Sequence, residues 1–183
     1  MSNIANSVER SSIMKTTAVF SKDGKQRYAV RMEWDSKKKS CAIIMTYPST
    51  ADELTLDQTT MLVRNNAVAQ GFGSVCILNL FSSLNQQNPR NDRVNISAVL
   101  NECAAADVIL IAYGRNTAHE EEKESLLNML ADYRDKLYTI EDKKGSIFSH
   151  PLSPSARVWK IVPFNVEEYL ASKEEVEEEE KTE

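Results

Sequence analysis

The stretch CAIIMTYPSTADELTLDQTT, Cys41–Thr60, decides how the chain is read, because an unbroken apolar run gives way within a few residues to hydroxyls and carboxylates. Cys41 to Met45 shows no polar alternation, which marks an interior strand covered on both faces. Beyond it come Pro48, Ser49, Thr50, Asp52 and Asp57, and then a helical stretch Leu56–Gln70 with Gly71 as its stop. Met61, Leu62, Val68 and Ala69 are the expected buried face of that helix.

The same order of strand, polar break and helix recurs twice downstream. Ser74–Leu80 is a second buried strand, followed by the polar loop SSLNQQNPRNDR and a helix over Asn95–Ala106, with Ile96, Val99, Leu100 and Cys103 along one side. Asp107–Ala112 is the third strand, and Glu120–Lys136 the third helix, with Glu120, Glu121 and Glu122 well placed against its N-terminal dipole. Upstream, Thr16–Phe20 and Arg27–Trp34 flank SKDGKQ, whose Asp23-Gly24 supplies hairpin turn chemistry. Leu137–Ile140 and Ser146–Phe148 are shorter candidate strands, and Val166–Ser172 a last helical turn. The expected fold is therefore α/β, a three-layer α/β/α arrangement with a mainly parallel central sheet, preceded by an N-terminal β-hairpin. Residues 1–14 read as a flexible segment, 15–172 as one α/β domain and 173–183 as an acidic disordered tail.

Charge divides the chain unevenly. The 183 residues carry a net −5, but from Glu167 onward nine Glu face two Lys, so the end holds −7 and residues 1–166 hold +2. The block KEEVEEEEKTE cannot bury apolar surface and reads as a solvating tail or as a nucleic-acid mimic competing for the basic face. The longest apolar runs are too short to span a bilayer, and the N-terminus lacks the pattern of a secretion signal. Cys41, Cys76 and Cys103, odd in number and without CxxC spacing, read as reduced buried thiols. A cytoplasmic protein without membrane contact, metal or other cofactor is expected.

In parallel sheets ligands bind beyond the carboxyl ends of the strands. The residues leaving those ends are Tyr47 to Asp52, Asn79 to Ser83 and Tyr113 to Asn116, and the later FSHPLSPSAR adds His150, Ser153, Ser155 and Arg157 to the same expected rim. Each has a plainer structural reading beside the functional one. Asp57 reads first as a helix cap; Pro48 with Ser49 and Thr50 is either a strand-ending turn or an amide cradle for an anion; Asn79 either bridges loop backbone or reads a ligand. Gly114 reads as a conformational requirement, and His119 as an exposed residue at a helix start. His150, held between an apolar segment and prolines, is equally a functional or a structural imidazole.

The segments RYAVRMEWD, IIMTYPSTAD, LDQTT, GFGSVCILNLFS and DVILIAYG, in that order, resemble the prokaryotic and phage family DUF1643, over about Arg27 to Pro163. The family pattern runs Asn-Pro-Ser-Thr-Ala-Asp, Asp-Pro-Thr, Asn-Leu-Phe and Trp-Gly, so this chain departs from it at Tyr47, Gln58 and Tyr113. A more distant resemblance is to the uracil-DNA glycosylase superfamily, carried by MTYPS, CILN, IAYG and SHPLSPSA in register. That resemblance implies a glycosylase-like fold and excision of an unusual or modified base from DNA by N-glycosidic hydrolysis. It would put Pro48 and Ser49 at phosphate or base, Asn79 on the base edge, and His150 with Ser153 at the leaving group and strand. Asp52 or Asp57 would supply the carboxylate, because Tyr47 stands where the mismatch-specific enzymes carry a water-positioning Asn. Tyrosine cannot both donate and accept in an amide's plane, although it can stack on a base.

Two other readings fit the same residues. One is a non-catalytic protein of this fold that holds nucleic acid or a nucleotide, with Arg64, Arg90, Arg93, Arg115 and Arg157 near the rim. The other is an interaction module in phage or host defence that binds through its acidic tail.

Overall fold

The computed structural model describes residues 7–87, 89 and 92–173. Arg90 and all of the acidic tail beyond Lys173 lie outside the described residues, as do the first six residues of the expected N-terminal segment.

Seven strands form one sheet: β1 (Lys15–Phe20), β2 (Arg27–Glu33), β3 (Ser40–Met45), β4 (Ser74–Asn79), β5 (Val108–Ile111), β6 (Leu137–Glu141) and β7 (Lys160–Pro163). Their spatial order is β1-β2-β4-β3-β5-β6-β7. The four central strands β4, β3, β5 and β6 pair in parallel, whereas β1–β2, β2–β4 and β6–β7 are antiparallel. The sheet is thus mixed where a mainly parallel one was expected. Nor does the hairpin stand ahead of the sheet. Ala29, Val30 and Met32 of β2 are almost fully buried, so β2 is an interior strand that must pair on both sides, with β1 outward and β4 inward. The hairpin turns at Gly24, whose φ of 70° and N–H bond to the Ser21 carbonyl use the conformation only glycine adopts freely.

Three α-helices connect the parallel strands: α1 (Gln58–Ala69), α2 (Arg93–Ala105) and α3 (Glu120–Leu130). Alternate residues of β3 point to opposite faces, as strand geometry requires. Cys41, Ile43 and Met45 pack with Val63 and Ala67 of α1, whereas Ala42 and Ile44 pack with Val99 and Cys103 of α2 and Leu126, Leu127 and Leu130 of α3. The chain steps from β3 to β4 in one direction and from β4 over to β5 and on to β6 in the other. A uniform crossover hand then demands α1 on one face and α2 and α3 on the other, which is the arrangement found. Each fully buried Ile or Leu in these layers contributes about 1.5–3 kcal/mol by leaving water.

Several local expectations are corrected. The buried face of α1 is Thr60, Val63, Asn66 and Ala67, and Met61 and Val68 are exposed. Asn66 is inside because its amide donates to the Leu62 and Arg157 carbonyls while its oxygen accepts the Trp159 N–H, tying the helix to the segment before β7. A polar residue with three backbone partners can occupy a core position that hydrophobic periodicity assigns elsewhere. The third helix ends at Leu130 and tightens into a 3-10 turn over Ala131–Lys136, broken at Tyr133. Ser146–Phe148 is not a strand; Phe148 is left-handed (φ 59°) there, and the antiparallel edge is supplied instead by β7. Residues 166–173 are helical. The three cysteines are free and buried, and among the described residues no helix is long and apolar enough to cross a membrane.

Candidate functional site

Strands β3 and β5 lie side by side, and the chain leaves their carboxyl ends in opposite directions, so their loops part and leave a crevice. A cleft of about 360 Å³ opens there. Its walls are the segment Thr46–Ser49 after β3, the start of α1 at Asp57, Thr59 and Thr60, the loop after β5 with Tyr113, Asn116 and His119, and His150 with Leu152. Arg27 and Met45 also line it, and Lys123 of α3 reaches it from the side.

Arg27 opens β2 and is 2% exposed. Its Nη1 donates to Ser49 Oγ (3.0 Å) and the Ala51 carbonyl (3.1 Å), and its Nη2 donates to Asn79 Oδ1 (2.9 Å). All three acceptors are formally neutral, and among the described residues Nε has no partner and no carboxylate lies within ion-pair distance. Burial therefore lowers its pKa to about 10, against the opposing pull of Asp57, and the group stays cationic at neutral pH. A buried charge without a contact counter-ion is costly, and the Asp57 carboxylate, which lines the same cleft, offsets it only from beyond ion-pair distance.

Asn79 ends β4 at 1% exposure, and its amide is consumed by that same arginine and by donation to the Tyr47 carbonyl (2.7 Å). It braces the wall from behind and does not line the cleft. Asp52 is also elsewhere: its carboxylate accepts the Leu54 and Thr55 N–H groups (2.8 and 2.6 Å), closing a local turn, and these bonds lower its pKa. Asp57 is the N-cap of α1, accepting the Thr60 N–H at 2.7 Å, and still lines the cleft. Burial raises its pKa, but the Ser49 hydroxyl, the Thr60 cap and the Arg27 charge outweigh that and hold it below the ordinary carboxylate value.

His150 sits on the opposite wall. Its Nδ1 accepts the Leu152 N–H (3.2 Å), which leaves the ring proton on Nε2 in the neutral form. Burial lowers its pKa and Asp57 pulls it back up, with burial prevailing. The chain reaches His150 through the left-handed Phe148, a conformation uncommon for a bulky residue. Phe148 is fixed there by its N–H bond to Thr139 Oγ1 (2.8 Å) and by its carbonyl, which accepts the Gly114 N–H (2.7 Å). Gly114 has φ 85°, and a Cβ there would touch the His150 Cβ at 3.5 Å; it lines a neighbouring cavity rather than this cleft.

His119 corrects a second expectation. Rather than standing exposed, its side chain is 25% accessible, lines the cleft, meets Phe81 edge-on at 4.7 Å and places Nε2 2.6 Å from the Tyr47 hydroxyl. Tyr47 stacks on Phe81 (5.7 Å, 18°). Tyr113 is 5% exposed, with a hydroxyl that has no partner among the described residues, and burial raises its pKa far beyond the usual range.

Of the expected rim, then, Tyr47, Pro48, Ser49, Tyr113, Asn116 and His150 share the cleft, and Asp57 joins them. Asp52, Asn79, Gly114 and Ser153 do not; Ser153 bonds Ser155 beside the 3-10 turn Pro154–Ala156. The arginines are scattered: Arg93 is exposed on the first turn of α2, Arg64 bonds Asn65, Arg157 is exposed beyond the last wall, and Arg115 faces the neighbouring cavity beside Asp142 (3.7 Å). Sequence reasoning missed Arg27, His119 and Lys123. Arg27 had a signal, an arginine opening a strand whose next three residues, Tyr28, Ala29 and Val30, offer no polar alternation. His119 had a weaker one, its place three residues beyond the Tyr113–Asn116 rim. Among the described residues no group of three or more His, Cys, Asp or Glu is placed to hold a metal.

A family model described as protein of unknown function (DUF1643) matches residues 27–152. The chain belongs to the DUF1643 family. The match begins at Arg27 and ends at Leu152, both of which line the cleft, so every wall of the cleft falls within the DUF1643 span, while β1, β7 and the helical residues 166–173 lie outside it. No curated protein matches the chain.

Proposed function

We propose that this DUF1643 protein is a glycosylase-like enzyme that hydrolyses the N-glycosidic bond of an unusual or modified base in DNA. On this reading the parallel strands, with α1 on one face and α2 and α3 on the other, are the glycosylase-type three-layer core, and β1, β2 and β7 are additions to its edges. The observation that carries it is the pairing, across one cleft at the strand switch point, of an ionised Asp57 with a neutral, partly desolvated His150. Environments that hold a carboxylate charged and an imidazole uncharged side by side assign a base and a donor.

Asp57 takes a proton from water as the water oxygen bonds to C1′ of the sugar. The C1′–N bond breaks, its electron pair leaves with the base, and His150 Nε2–H donates to the base as negative charge develops there. The sugar carries positive charge in the transition state, which the Asp57 carboxylate also stabilises. The cleft lies within the size range of small-ligand sites, and Tyr47, braced by Phe81, offers a ring face to an extruded base. Asp52 and Asn79 have no part in it.

One observation favours a binding-only alternative: both groups that would handle water or base in the glycosylase pattern are already engaged, the Tyr47 hydroxyl by His119 and the Asn79 amide by Arg27. Turnover separates the two. Duplex and single-stranded oligonucleotides carrying a panel of altered bases should yield abasic sites with at least one substrate, and the yield should vanish in Asp57→Asn. Binding without abasic sites on any member of the panel would leave the nucleotide-binding reading in place and remove the enzymatic one.

A further inference from the structure

A second cavity, about 420 Å³, adjoins the cleft, and Tyr113, Asn116 and Lys123 line both. Its wall carries three cations, Arg115, Lys123 and Lys173, against one carboxylate, Glu120. The two oxygens of Glu120 are already divided between Lys123 and Lys173, each at 2.9 Å, and among the described residues Arg115 reaches only Asp142, at 3.7 Å. Lys123 is 7% exposed, so its ammonium is held away from bulk water. Two of its three protons are placed, on Glu120 and on the Asn116 carbonyl. That leaves one Lys123 proton and the exposed Arg115 guanidinium lining the cavity, where an anionic oxygen would take charge-assisted bonds from both.

We infer that this cavity is a phosphate subsite, in which Arg115 and the remaining proton of Lys123 hold the phosphate of a nucleotide whose base lies in the cleft. The inference rests on the nucleotide reading of the cleft and names the part of the ligand that reading leaves unplaced. The phosphate comes either from a free nucleotide or from the next link of a strand.

Titration with the four deoxynucleosides, their 5′- and 3′-monophosphates, octathymidylate and inorganic phosphate tests it. Phosphate-bearing ligands should bind at least about tenfold more tightly than the matching nucleoside, as expected for charge-assisted bonds. Arg115→Ala, at an exposed side chain, should erase that margin without changing nucleoside affinity, and should lower the salt slope for octathymidylate by about 0.7. A margin shown by the monophosphates identifies a free nucleotide, and one shown by octathymidylate alone identifies a strand; either supports the subsite. Nucleosides and phosphate-bearing ligands that bind alike, with Arg115→Ala silent, would overturn the subsite and leave the cleft reading standing. Phosphate binding that depends on Arg115 with no nucleoside bound would keep the subsite and overturn the cleft reading. Silence from every probe overturns both.

Discussion

The Tyr47 hydroxyl stands 2.6 Å from Nε2 of His119, a bond between the loop after β3 and the residue that begins α3. Glu122 lies 3.8 Å from Nδ1 of the same ring, and a carboxylate there favours the Nδ1–H tautomer, which makes Tyr47 the donor. Tyr47→Phe keeps the ring on Phe81 and removes only that bond. The expected cost is about 1 kcal/mol, the usual net worth of a part-buried hydrogen bond. Thermal melting measures it, and an unchanged midpoint would show that the bond contributes nothing to the fold. The imidazole resonances of His119 should shift in the same variant, because the ring loses its partner.

Asp57 serves the helix and, on the proposed reading, the chemistry, and two substitutions separate these roles. Asn caps a helix about as well as Asp, so Asp57→Asn should melt within a few tenths of a kcal/mol of the parent, whereas Asp57→Ala should lose about 1 kcal/mol. Turnover behaves differently. Without a carboxylate neither variant can accept the proton of water, and both should lose about 10²–10⁴-fold in rate. Stable, active Asp57→Asn would remove Asp57 from the mechanism.

Much of this was legible from residue order. The run Cys41–Met45 and the Asp57 cap identified the first βα unit, because apolar continuity and capping are local properties. The pairing of β2 with β4 was not, since nothing local states which edge an apolar strand joins, and only the burial of Ala29, Val30 and Met32 makes the pairing necessary. The site divided along the same line. Tyr47, Asp57 and His150 follow from the ends of elements, but which of its two readings Asn79 takes depends on Arg27, 52 residues away, and on the Tyr47 carbonyl, which together engage its amide as a bridge to loop backbone. His119 lies on the rim through a left-handed backbone (φ 64°) that its Ala-Glu neighbours do not announce.

His150 should titrate below the ordinary 6.5, because burial disfavours its charged form. The sign for stability follows: between the folded and the unfolded pKa the unfolded chain binds the extra proton, so stability falls as pH drops from about 6.5 through the folded value. His150→Gln should remove that part of the acid-side loss. Asp57 pulls the His150 pKa upward, so Asp57→Asn should move it lower still. An NMR titration of the imidazole reads both effects, and a midpoint above 6.5, or one indifferent to Asp57, would contradict this account of the cleft.

Arg27 is the cation at the base of the cleft, and its fork is what Lys cannot reproduce. The guanidinium bonds Ser49, Ala51 and Asn79 from two nitrogens in one plane, whereas an ammonium on a flexible stem reaches them only by giving up that geometry. Arg27→Lys should therefore keep the charge and loosen the wall: Asn79 loses its donor, the loop Thr46–Ser49 loses the brace behind Tyr47, and stability falls by about 1–3 kcal/mol for a buried acceptor left unpaired. Arg27→Met removes the charge as well. If Arg27 were only structural, the two variants would lose nucleotide affinity in proportion to their lost stability. If its charge faces the ligand, Met should lose about tenfold or more in affinity beyond Lys, with a shallower salt dependence, because a buried cation lacking a contact carboxylate is then stabilised by the bound anion. Affinity of both variants for a deoxynucleotide across a salt series, set beside their melting curves, decides between the two.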